Sequence, residues 1–295
     1  MMRKRTFEDR FLDMVVYALL FLVVVISLYP VIYVFSNSIS SPDSVLRKEV
    51  WLLPIGFSMS SYELAFEHKY IMPSYLNTVI YTVCGTLYSM VLTILGGYAL
   101  SRKRLIGRDF FMLFIGFTML FGGGLIPTYL LVKQLGMINT IWAMIIPCAI
   151  SPFNLILIRT SMQQIPDSLE ESARIDGAND WVILFRIVLP MSIPVLATIT
   201  LFYAIGQWNG FLTALIYLNS KELYPLQLIL RELLITMTDN TMNREMTIDK
   251  ESLRQLTPMG FKSAIIMISM LPLLVVYPFI QRYFVKGVMI GAIKG

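Results

Sequence analysis

Hydrophobic and polar positions fall in blocks along this chain. Six runs carry no Asp, Glu, Lys or Arg: 14–42, 70–101, 110–132, 134–158, 187–220 and 263–281. A helix needs about 20 residues to cross a ~30 Å hydrocarbon core, and each run can hold one. Backbone groups in lipid must pair within their own segment, which selects helices. None of the runs alternates like the ~10-residue strands of a membrane barrel. The pattern predicts an all-α polytopic membrane protein, one transmembrane domain over 1–295. Its six crossings are expected at about 12–35, 75–100, 110–132, 138–158, 191–216 and 262–284.

Within these runs, Gly122-Gly123-Gly124 and Pro127 interrupt the third helix. They read as close helix packing, as a kink relieved by neighbours, or as a hinge or widened pathway wall. Pro147 and Pro152 lie inside the fourth. Between helices 5 and 6, Tyr224 to Leu230 reads as a short helix near the membrane surface. The first run follows basic residues, as in a signal peptide. It is too long for an h-region of ~7–15 residues and lacks a small-residue cleavage site, so it is expected to be retained.

Composition agrees with the pattern. The chain is 56% hydrophobic and 15% charged, against about 45–50% and 25% in soluble domains. The net charge of +5 matters by position. Arg102, Lys103, Arg104 and Arg108 crowd one short loop, and Arg3, Lys4, Arg5 and Arg10 precede the first helix. Arg159, Arg174, Arg186, Arg282, Lys286 and Lys294 fall on the same side, which predicts that both termini are cytoplasmic. Cys84 and Cys148 lie in apolar runs and read as packed thiols, not a disulfide or metal site. His68 is the only histidine, so a metal centre or His-based triad has little material.

Residues 159–189 are too polar to cross and form the largest inside segment. Ser168 with Glu171 fits a capping box, which predicts a helix from Leu169 to Asp176. Gly177 suits the position just past its end. Ala173 and Gly177 would share a face without bulk. Glu170 and Glu171 place charge near the helix start, where it suits the dipole and could meet a basic partner. Asn179 or Asp180 would cap a second helix through Trp181, Ile183, Leu184 and Ile187, ended by Pro190. Capped short helices are common in loops, so capping alone leaves both partner docking and an ordinary loop open.

Glu171-Ser172-Ala173, three residues, Gly177, nine residues, Ile187-Val188-Leu189-Pro190 resembles the EAA motif of binding-protein-dependent ABC importer permeases. Ser172 departs from the frequent alanine but stays small. Other stretches resemble the carbohydrate-uptake branch: Asn77-Thr78, Gly97 to Arg102, Pro127-Thr128-Tyr129 and Trp208-Asn209-x-Phe211. The resemblance spans about residues 12–295. It implies a coupling helix between crossings 4 and 5 that docks on an ATP-binding subunit through Ser168, Glu170, Glu171, Ser172, Ala173, Asp176, Gly177 and Ala178. It also implies a second permease, expected to make a heterodimer, two ATPases, and an extracytoplasmic solute-binding protein that delivers a carbohydrate. The location implied is the bacterial inner membrane, with no nucleic-acid partner.

No G-x-x-x-x-G-K-[ST] segment is present, so ATP and Mg belong to the partner ATPase and this chain carries no cofactor. Polar side chains at membrane depth usually face a bundle interior or cavity. Tyr129, Asn154, Gln207, Trp208, Asn209 and Phe211 are therefore the expected pathway residues, because aromatic faces and amides suit sugars. The bland alternative for each is an interhelical hydrogen bond, worth only ~0.6 kcal/mol on average. The expected cargo is an oligosaccharide, with an acidic, uronate-containing one in view. No intramembrane Arg or Lys is available for its carboxylates. An amino-acid, peptide or phosphate permease with the same motif is the rival. A membrane enzyme or secondary transporter finds neither a catalytic set nor a buried charge for ion coupling.

Overall fold

The computed structural model describes residues 7–239 and 258–292. Arg3, Lys4, Arg5 and Lys294, used above for orientation, lie outside the described residues, as do residues 240–257. The elements in chain order are α1 (Phe7–Ser38), α2 (Pro42–Leu46), α3 (Ser60–Glu67), α4 (Ile71–Ser101), α5 (Arg108–Leu120), α6 (Leu125–Gln134), α7 (Ile141–Ile145), α8 (Pro152–Met162), α9 (Asp167–Ile175) and α10 (Asp180–Ile183). A π segment (Leu184–Val188) leads to α11 (Leu189–Met191), α12 (Ile193–Asn209), α13 (Leu212–Tyr217), α14 (Leu226–Asp239) and α15 (Pro258–Ala292). No strand occurs among the described residues.

The chain packs as two compact units, Met1–Lys69 with Leu230–Leu271, and Tyr70–Ile229 with Pro272–Gly295. In the first, α1 is apolar and exposed on all sides between Phe11 and Tyr29, the pattern of a helix whose solvent is lipid or another membrane chain. Its polar end turns the chain back. Ser36 Oγ donates to Leu52 O at 2.6 Å, and Ser40 Oγ accepts from Ile55 N at 3.1 Å. An antiparallel bridge, Ser40 to Phe57, closes this turn.

The second unit is organised around α4. Its buried side carries Ser74, Thr78, Gly85, Thr86, Ser89, Thr93 and Gly97, at helical spacing. Its exposed side carries Leu76, Val79, Val83, Leu87 and Val91. This inverts the soluble pattern. Lipid gives large apolar residues no reason to hide, whereas small residues let helices approach. A Cβ on Gly85 would fall 2.7 Å from Gln207 Nε2 of α12, and one on Gly97 would strike Ile158 of α8. Tyr98, Ile158, Met162, Ile183, Leu184, Val188, Ile199 and Tyr203 form the main buried cluster here.

The expected crossings are not six straight rods. Among the described residues, the unbroken apolar helices long enough to cross are Arg10–Ser38 and Ile71–Ser101. The helix expected at 110–132 is α5 and α6, bent by 115°. Gly124 turns there at φ +85°, ψ 166°, which only glycine adopts at low cost. Gly122 and Gly123 would bring a Cβ within 4 Å of nothing, so a sharp turn, not close packing within the chain, explains the triplet. The helix expected at 138–158 splits into α7 and α8, with Ser151 capping α8 and Pro152 opening it. The helix expected at 191–216 breaks at Gly210-Phe211 between α12 and α13.

Pro190 does not end the helix after α10. Helical turns run through it, and the chain bends by 84° at Ser192 instead. Pro190 lacks an N–H for an i→i−4 bond, and the residues before it take the wider π spacing. The short helix expected over Tyr224–Leu230 is the start of α14. Cys84 and Cys148 are free and exposed rather than packed. Cys84 shares the outward face of α4 with Val83 and Leu87.

Candidate docking site and pathway residues

The polar segment folds as two short helices, α9 and α10, around a tight turn. Pro166, not Ser168, holds the cap position of α9, with no side-chain cap bond. Ser168 is the second helical residue, and its carbonyl accepts from Ser172 Oγ at 2.9 Å. The capping box is therefore absent. Asp167 and Glu170 in the first turn supply the favourable charge instead.

The far end is as the sequence implies. Gly177 sits at φ +83°. Ala178 N donates to Ala173 O at 2.8 Å and Gly177 N to Arg174 O at 3.0 Å, the paired bonds of a Schellman end. A Cβ at Gly177 would meet nothing within 4 Å. Backbone conformation, not space, requires glycine here. Asn179 caps α10, accepting from Val182 N at 2.9 Å.

Helix α9 has two opposed faces. Glu170 is 8% exposed, and Ala173 and Ala178 pack against the main buried cluster. Ser168, Glu171, Ser172, Ile175, Asp176 and Gly177 are exposed. Of the eight expected docking residues, Glu170, Ala173 and Ala178 thus turn toward the protein's own interior. The face without bulk that Ala173 and Gly177 were expected to share is not on offer. Ile175 was missed. It is 86% exposed, an apolar side chain presented by a polar helix, and only its seven-residue spacing from Ser168 signals that it shares the outward stripe.

Three consecutive basic residues just past α4 hold this segment. Arg102 pairs with Glu170, Lys103 Nζ lies 2.9 Å from Asp167 Oδ2, and Arg104 pairs with Asp180. Arg174 also reaches Asp180, at 2.5 Å. The sequence had assigned Lys103 and Arg104 only to membrane orientation, and Arg102 to that and to the family-like stretch from Gly97. The first pair is buried, with side-chain exposures of 9% and 10%, whereas Lys103 and Asp167 are 81% and 62% exposed. Arg102 also lies over the Tyr98 ring at 4.8 Å and donates from Nε to Ser101 Oγ at 3.0 Å. Burial lowers its pKa from the usual guanidinium value. Hydrogen bonds from Arg104 and Arg174 hold the Asp180 carboxyl below the usual range, and Lys103 does the same for Asp167. Water screens the two exposed links. Losing one partner of the buried pair would strand a charge, at a cost of about 3–5 kcal/mol.

The pathway residues do not form one group. Gln207 presses on Gly85. Trp208 is buried and meets Tyr75 edge-on, ring centroids 5.9 Å apart. Asn209 is exposed at the end of α12, and Phe211 is half-buried before α13. Tyr129 stacks on Tyr217 at 6.2 Å. Asn154 is buried in the first turn of α8, capped by Ser151. Ser151 N donates to the Tyr203 hydroxyl at 3.0 Å, which is bonded to Thr93 at 2.7 Å. The start of α8, which carries Asn154, is thus tied to Tyr203, a turn of α12 away from Gln207.

At the opposite end of α4, Asn77 Nδ2 donates to Glu222 O at 2.6 Å and Tyr81 OH to Leu223 O at 2.7 Å. Leu226 N donates to Thr78 Oγ1 at 2.8 Å. Asn77-Thr78 thus fastens the 222–226 turn.

A family model described as "Binding-protein-dependent transport system inner membrane component" matches residues 2–290. The chain is 43% identical to the polygalacturonan/rhamnogalacturonan transport system permease protein YtcP of Bacillus subtilis (strain 168), over 98% of this chain and 100% of that one. It is 40% identical to protein LplC of the same organism, over 92% and 90%. A solved chain from a bacterial ABC transporter involved in the import of the acidic polysaccharide alginate superposes with TM-score 0.88 at 36% identity, covering 96% of this chain and 99% of that one.

Proposed function

We propose, from the premise that this chain belongs to the binding-protein-dependent transport system inner membrane component family, that it is the permease subunit of an ATP-driven importer for uronate-containing oligosaccharides. The chain is a membrane-embedded transport subunit, and ATP hydrolysis belongs to a separate subunit. The reading further takes it as one transmembrane domain with six crossings, both termini cytoplasmic, paired with a second, different permease. Two ATPases holding ATP and Mg dock from inside, and a solute-binding protein delivers cargo from outside.

The single observation behind docking is the outward stripe of α9. Ser168, Glu171, Ser172 and Ile175 project from a helix that is anchored on its other face. An exposed apolar side chain ringed by small and acidic groups fits a hydrophobic recess with a basic rim on the ATPase. The cargo class follows the two likenesses, to a polygalacturonan permease and to an alginate importer chain. No Lys or Arg lies in runs 70–101, 134–158 or 187–220, so the carboxylates would be recognised outside the crossing or by the partner permease. Trp208, Asn209, Gln207 and Phe211 would offer neutral contacts to sugar rings and hydroxyls.

Uptake into proteoliposomes containing both permeases, the ATPases and the binding protein tests this reading. Labelled oligogalacturonate should accumulate only with ATP. Accumulation of amino acids without any glycan, or uptake that survives an inactive ATPase, would overturn it.

A further inference from the structure

We infer that Arg102 and Glu170 form the mechanical link by which displacement of the docking helix α9 reaches the membrane helix α4. The inference rests on the docking reading above and assigns a positioning role to a pair that touches neither cargo nor nucleotide. Three facts carry it. Glu170 faces inward from the same helix whose other side carries the docking stripe, so a pull on that stripe is a pull on its carboxylate. Arg102 immediately follows α4 and is fixed by Ser101 Oγ and the Tyr98 ring, so its position is that of the helix end. From there the path is continuous packing: α4 contacts α12 through Thr93 with Tyr203 and through Gly85 with Gln207, beside Trp208 and Asn209.

The companion links cannot do the same. Lys103–Asp167 and Arg104–Asp180 join the same two regions but are exposed and held by long side chains that reorient freely. A buried ion pair has no alternative partner in water, so it either moves as a unit or breaks at high cost. Loop 163–166 joins α8 to α9, and its Ile165 lies in the same buried cluster as Tyr98 of α4, so apolar packing runs beside the ion pair.

The assembled importer in proteoliposomes tests this, with Glu170→Gln, Arg102→Gln, the charge exchange R102E/E170R, and Lys103→Gln as an exposed-pair control. Three quantities are read: ATPase copurifying with the permease, ATP hydrolysis, and cargo moved per ATP. Glu170→Gln and Arg102→Gln should retain the ATPase and hydrolyse ATP within about twofold of wild type, while cargo per ATP falls about tenfold or more. The exchange should recover a large part of that loss, and Lys103→Gln should stay within about twofold. Unchanged cargo per ATP in Glu170→Gln overturns the link. So does loss of ATPase copurification in that variant, which would reassign the pair to shaping α9, and so does an equal loss in Lys103→Gln. Wild-type uptake in the same vesicles tests the import reading separately, because the variants are scored only relative to it.

Discussion

The two ends of α4 are fastened by different chemistry. At the Ile71 end, Asn77, Thr78 and Tyr81 bond neutral side chains to backbone groups of Glu222, Leu223 and Leu226. At the Ser101 end, Arg102, Lys103 and Arg104 bond charges to Glu170, Asp167 and Asp180. Neutral bonds to backbone are short-ranged and indifferent to salt. Ion pairs respond to salt, pH and the approach of other charges. The difference separates a fixed attachment from one that can be loaded by a docking partner.

The comparison breaks most visibly at the buried pair. Arg102→Ala should lower the unfolding free energy by about 3–5 kcal/mol, read by denaturant unfolding in detergent, because Glu170 is left charged and buried. At the other end, Thr78→Val leaves the Leu226 N–H without its acceptor and should cost about 1–3 kcal/mol in the same assay. A loss as large as that of Arg102→Ala would erase the contrast.

Docking can be separated from fastening at Gly177. Gly177→Trp should reduce ATPase copurification about tenfold without blocking membrane insertion. Its φ of +83° strains any side chain, and the bulk would project from the exposed end of α9. Normal copurification together with normal transport would place the ATPase contact elsewhere.

The smallest effect is a pH dependence confined to the charged end. Arg104 and Arg174 depress the Asp180 pKa, so its contribution is fully present above the ordinary carboxylate value of about 3.9. It is lost as pH falls through the depressed folded value. Amide exchange should therefore quicken around Val182 below about pH 4, while the Leu226 amide, bonded to a neutral hydroxyl, keeps its protection. Equal quickening at both sites would deny the distinction.

Much of the docking segment was legible locally. Gly177 at the helix end and Asn179 as a cap follow from chain geometry within a few residues. The start of α9 was misplaced by two positions because Pro166 fixes an extended cap conformation that outweighed Ser168 and Glu171. The pathway set was harder to read. Composition marks Asn154 and Gln207 alike as polar residues in apolar runs, yet the helix start that carries Asn154 is tied to Tyr203 while Gln207 lies on Gly85. Only the antiparallel packing of α4 and α12 sets those levels. Glycine and proline marked interruptions near Gly124 and Pro190, but the 115° bend and the shift of the second turn to Ser192 were not legible, because hydrophobicity reports what a segment can lie in, not its direction.

The sequence by itself determined the membrane class, the all-helical fold and the place of the polar segment that folds as α9 and α10. These follow from run length, internal hydrogen bonding in lipid and turn chemistry, all of which act over short stretches of chain. Tertiary structure alone decided which acidic residues of α9 face inward and what the basic triplet holds. Lys103 and Arg104 meet partners 64 and 76 residues away in the chain. No local pattern encodes such pairings, because they exist only once α4, α8 and α12 have closed on their small residues and brought the ends of distant helices together.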